Sequence, residues 1–77
     1  MSDFEKVEFL NVLHSDNLAV QAVLCRYNEA VKDANSWHIL AVKNPNSENI
    51  QESYAVYRAR FRMASQFLDD IYMALRD

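Results

Sequence analysis

Arg58, Arg60 and Arg62 are the side chains of this sequence whose type and spacing point most directly to chemistry. They stand in the run Tyr57-Arg58-Ala59-Arg60-Phe61-Arg62, and no acidic residue lies between Glu52 and Asp69 to answer them along one helix. On a helix Arg58 and Arg62 are one turn apart on an outer face, so their guanidinium groups can together grip a carboxylate or a phosphate. Arg60 points elsewhere. An antiparallel neighbour would bring Asp33 close to it, and a structural salt bridge is the expectation there.

The remaining candidate groups are scattered. His14 and His38 are the only histidines, and neither belongs to the Glu-x-x-His or His-x-x-x-His pairs from which helical metal sites are built. Glu5 with Glu8, Glu29 with Asp33 and Glu48 with Glu52 recur at helical spacing, the ordinary pattern of a solvated face. Glu48 and Glu52 also fall in the first turns of a helix, where its dipole favours negative charge. Cys25 and the serines have no base beside them in sequence. His38, next to Trp37 on an apolar face, reads as a packed or partly buried imidazole. No catalytic residue, metal ligand or cofactor is therefore expected, and the chain reads as a protein that is not an enzyme.

Composition narrows the class further. The chain has 77 residues, 51% of them hydrophobic, with one cysteine and no glycine. That profile is unlike a disordered chain, and without glycine the phosphate-binding and dinucleotide-binding loops are excluded. A formal charge of −3 from 11 acidic and 8 basic side chains repels nucleic acid and anionic membranes, so nucleic acid is not an expected partner. The single thiol fits a reducing compartment. No apolar run approaches the roughly 20 residues of a membrane span, and the N-terminal residues lack a basic stretch followed by an apolar core. A soluble, cytoplasmic protein without membrane contact is expected.

Three helices must position these groups, all in one domain. Ser2 and Glu5 have the spacing of a capping box, which starts a first helix over about 3–13. The polar break His14-Ser15-Asp16-Asn17 supplies caps for a second helix over about 16–43. Asn35 and Ser36 are weak helix formers inside it and mark where it would kink if it kinks. Asn44-Pro45-Asn46-Ser47 forms the next turn, and a third helix follows over about 48–76. Its seam is the clearest periodic signal in the chain: Ile50, Tyr54, Tyr57, Phe61, Ala64, Leu68, Ile71 and Leu75 repeat in steps of four and three. The expected fold class is all-α, a short N-terminal helix followed by a long antiparallel helical hairpin, with Trp37 opposite Tyr54.

Apolar surface is left over. Val56, Ala59, Met63, Phe67 and Ala74 form a second stripe on the third helix, and Leu18, Ala19, Ala22, Ile39 and Leu40 lie off the centre line of the second. The first helix would cover only about 16 Å of a hairpin about 40 Å long. Self-association into an oligomeric helical bundle is the economical way to hide the rest, with a homodimer favoured.

Two functions fit. The favoured one is a non-enzymatic interaction or regulatory module, an oligomeric hairpin that binds and modulates another protein in the manner of an accessory factor or phage-type inhibitor. Its contact candidates are Arg58, Arg62, Val56, Met63 and Phe67. The alternative is a binder of a small anionic ligand such as a nucleotide, or of nucleic acid, at an oligomer surface lined by arginine and tyrosine.

Overall fold

The computed structural model describes residues 2–76 and contains three helices in the expected order: α1 (Asp3–Leu13), α2 (Leu18–Lys43) and α3 (Glu48–Leu75). Each starts at a polar cap. Ser2 Oγ accepts the Glu5 N–H at 3.2 Å, Asn17 Oδ1 accepts from Ala19 and Val20, and Ser47 Oγ accepts from Ile50. These side chains satisfy backbone donors that an unturned chain would leave unpaired.

Helix ends without glycine need another device, and no described residue adopts a positive φ. The two connections are built alike. The Asn17 N–H bonds the His14 carbonyl at 3.1 Å, and the Ser47 N–H bonds the Asn44 carbonyl at 3.2 Å, closing a tight turn each time. At the second connection Gln51 reaches back from the first turn of α3 and donates to the carbonyls of Ala41 and Asn44, at 3.0 and 3.2 Å. The side chain of Asn44 adds a bond to the Leu40 carbonyl at 3.0 Å. Carbonyls that a left-handed glycine cap would normally occupy are answered by two side-chain amides.

α2 is one continuous helix through Asn35 and Ser36. The Ser36 hydroxyl donates to the Lys32 carbonyl at 3.0 Å, which keeps this weak helix former inside the helical pattern. α2 and α3 pack antiparallel as a hairpin, and the expected seam of α3 faces inward along its whole length: each of its eight members is buried or half-buried. The result is a rod of 47 × 18 × 17 Å. Its radius of gyration, 14.5 Å, exceeds the ~11 Å of a compact sphere of this length.

Aromatic pairing along the hairpin differs from expectation by one turn. Trp37 stacks on Tyr57, with centroids 5.6 Å apart and planes 13° from parallel, and it is His38 that meets Tyr54 at 5.5 Å. His38 Nδ1 lies 3.3 Å from the Tyr54 hydroxyl, yet the residue is exposed rather than packed in a core. With Gln51 opposite Ala41, Trp37 falls between Tyr54 and Tyr57; His38 takes the Tyr54 ring and Trp37 lies against Tyr57.

The core sits at one end. Leu10 of α1, Val20 and Leu24 of α2 and Leu68 of α3 are buried and form a single cluster, with Val7, Phe9, Tyr27, Ile71 and Tyr72 packed around it. α1 lies across the flank of the hairpin remote from the turn. Its Phe9 ring meets Tyr72 edge-on at 5.2 Å.

Candidate functional site

Two side chains of α1 fasten it to the hairpin. Asp3 Oδ2 accepts from the Tyr27 hydroxyl of α2 at 3.0 Å and from Ser65 Oγ of α3 at 2.7 Å, so one carboxylate ties all three helices together. One turn on, Lys6 Nζ donates to Asp69 Oδ1 at 2.7 Å and stands 4.0 Å from Asp3. The phenol of Tyr27 is pushed up to about 12, first by its burial and then by the hydrogen bond to Asp3. The Lys6 ammonium is raised above its ordinary value, chiefly by the hydrogen bond to Asp69. The sequence shows Asp3 only as a first-turn acid; its role as a hub depends on the angle at which α1 docks.

Between α1 and α3 a shallow cleft of about 300 Å³ is lined by Lys6, Phe61, Arg62, Ser65, Gln66 and Asp69. It is polar, and the Lys6 charge in it is already met by Asp69. On the opposite flank of the hairpin, where α1 does not reach, lies an open groove of about 710 Å³. Ala19, Ala22, Val23, Arg26, Glu29, Ala30 and Asp33 of α2 form one wall, and Tyr57, Arg60, Met63, Ala64 and Phe67 of α3 form the other. Met63 and Phe67 are 61% and 58% exposed. Val56, 52% exposed, extends the same stripe one turn or two toward the hairpin end.

The arginine patch and the apolar stripe therefore part company. Arg62 lines the α1-side cleft while Met63 and Phe67 line the groove, and Arg58, one turn from Arg62, shares its flank. These two arginines remain on an exposed outer face as expected, but the helix body separates them from Val56, Met63 and Phe67. A single ligand would touch one set or the other. Arg60 belongs to the groove. Instead of the expected ion pair with Asp33, its guanidinium lies 5.1 Å from the centroid of Tyr57, over the ring. Among the described residues the ion pairs are those of Lys6 with Asp69 and Asp3, so the expected Arg60–Asp33 bridge does not form. Tyr57 is held flat by Trp37 on one side, which makes it a firm platform for a cation.

No protein-family model, curated protein or solved structure matches this chain. The site must be read from its own chemistry. Among the described residues no group of histidine, cysteine and carboxylate side chains is gathered to hold a metal ion. Cys25 is exposed, and no described helix is long and apolar enough to cross a membrane. The largest feature left is the groove: apolar at its floor, with charges of both signs on its rims.

Proposed function

We propose that the chain is a non-enzymatic protein-interaction module that assembles through the α2–α3 groove and modulates another protein in its assembled form. The observation that carries this reading is the groove itself. Met63 and Phe67 stand open to solvent along its α3 wall and Val56 continues their stripe beyond it, a grouping that isolated surface residues do not make. Small residues, Ala19, Ala22, Ala30 and Ala64, leave room between them for knobs from another helix. Arg26, Arg60, Glu29 and Asp33 give the rim the mixed charge that sets register in protein contacts. A cytoplasmic setting suits the lone exposed thiol.

The reading as a binder of small anions or nucleic acid draws less support. Arg60 faces the groove, Arg58 and Arg62 face the other flank, and Lys6 is engaged by Asp69, so the positive groups do not converge.

A photo-reactive phenylalanine analogue placed at Phe67 tests the proposal in cells. Light should yield protein adducts, identified by mass spectrometry, whereas the same analogue at Glu8 should yield none. Absence of any adduct at Phe67 and at Met63 would remove the groove as a working surface.

A further inference from the structure

Resting on that reading, we infer that the occupant of the groove is a second copy of this chain, laid antiparallel across it about a two-fold axis that passes between Glu29 and Ala30. The pattern of α2 points to this register. Ala19, Ala22, Arg26, Glu29, Ala30, Asp33, Trp37 and Leu40 follow one another along its groove side, all but Trp37 and Leu40 as groove lining. Rotation about an axis perpendicular to the helices sets residues equidistant from that midpoint against each other. Arg26 then meets Asp33 of the second copy, and Asp33 meets its Arg26. Each contact occurs twice, as an isologous interface requires.

Size is complementary in the same register. Ala22 comes opposite the half-buried Trp37, and Ala19 comes opposite Leu40, which is 41% exposed. Small residues thus receive large ones at both ends, while the paired charges hold the middle. Glu29 falls on the rim beside Ala30 of the second copy, with Arg26 of its own helix one turn away.

α3 obeys the same axis. Trp37 meets Tyr57, Ala41 meets Gln51 and Tyr27 meets Phe61, so the midpoint of α2 lies level with the stretch of α3 that holds Arg60 and Met63. Met63, on the groove side of that stretch, then comes near its own counterpart across the axis, and a thioether adapts to such a self-contact. Phe67 is carried toward Arg60 and Val56 of the second copy, where its ring can cover the guanidinium. α1 sits on the other flank and does not obstruct this pairing. The stretch from Ala19 to Leu40 spans about 32 Å at the helical rise. Over a rod 18 Å wide this is a footprint of about 580 Å², at the small end of the range around the ~800 Å² per partner of a standard interface. Two hairpins so joined form a four-helix bundle.

Sedimentation of the full chain tests the charge register. The wild type should dimerise at micromolar concentration, Arg26→Asp and Asp33→Arg should each weaken the dimer about tenfold or more, and the two together should restore it to within about threefold. Both residues are exposed, so circular dichroism should be unchanged. A monomer at about 100 µM, or a double variant no tighter than the singles, overturns the inference. A second measurement uses a Cys25→Ser background: Met63→Cys should oxidise to a covalent dimer and Gln66→Cys, on the α1 flank, should not. The reverse outcome also overturns it. A monomeric chain whose Phe67 analogue cross-links to a different protein would sink the second copy, and with it assembly through the groove, while leaving the groove standing as a surface for another protein; no adduct of any kind would sink both.

Discussion

The two ends of this rod are made by the same pair of helices, yet they are held by different means. Where α1 lies across the hairpin, Leu10, Val20, Leu24 and Leu68 close a dry cluster, and Asp3 and Lys6 fasten its edge with hydrogen bonds to α2 and α3. Toward the turn only Ala41 is buried among the apolar residues, and the helices are joined by the Trp37–Tyr57 stack, the His38–Tyr54 contact and the Gln51 hook. Three helices can surround a side chain; two cannot. The contrast teaches that in a chain this short the third helix decides where a core exists, and the periodic seam alone decides only which way the helices face.

The largest effects should therefore be confined to the α1 end. Leu68→Ala removes a side chain with no exposed surface and should cost about 3 kcal/mol in urea unfolding, a large share of the total stability of a chain of this size. Ile39→Ala, at a site 54% exposed near the turn, should cost less than about 0.5 kcal/mol. Equal costs at the two positions would show that the ends are equally packed and would dissolve the distinction.

Next in size is the hub. Asp3→Ala takes the shared acceptor away from Tyr27 and Ser65 and removes a carboxylate from the start of α1, and should destabilise by about 2 kcal/mol. Hydrogen exchange should show α1 losing protection first, with the turn end unchanged. If the loss is uniform along the chain, α1 is not a separately fastened element.

Much of this is legible in the amino-acid sequence alone. Ser2, Asn17 and Ser47 announce the three helix starts because a cap acts within one turn, and the seam from Ile50 to Leu75 announces the inward face because helical period is local. The exposed stripe of Val56, Met63 and Phe67 follows from the same periodicity. The antiparallel hairpin follows from the short turn, but the side-chain pairing between its helices and the flank that α1 takes do not. The Trp37–Tyr57 pairing depends on how the side chains of α2 and α3 interleave, the Asp3 hub depends on how α1 crosses, and the separation of Arg58 and Arg62 from the groove depends on which flank α1 takes. A helix wheel shows that two stripes differ in angle but not that a third helix will lie beside one of them.

At the turn end the stack should be the principal tie. A double-mutant cycle on Trp37→Ala and Tyr57→Ala should return a coupling of about 1 kcal/mol, the range for aromatic pairs beyond their buried area. A coupling near zero would move that role to the Gln51 hook, and Gln51→Ala would then be the costlier change.

The finest test separates the ends by pH. Tyr27, at the α1 end, is raised to about 12 in the folded state, so between roughly pH 10 and 12 the native protein keeps a proton that the unfolded chain has released. Its contribution is fully present below pH 10 and is lost as pH rises through the folded value. Lys6, also raised, adds a slope of the same sign. Because water still reaches the Tyr27 ring, the loss should be no more than about 1 kcal/mol. It should appear in wild-type unfolding curves as a fall in stability above pH 10 and should shrink in Tyr27→Phe. Hydrogen exchange at alkaline pH should register the change in α1 and the facing turns of α2 and α3, where the phenol sits. An equal loosening around Trp37 and Tyr57 would mean that the two ends open together, and that the hydrogen bond between Asp3 and Tyr27 stabilises the rod as one cooperative unit rather than fastening one end of it.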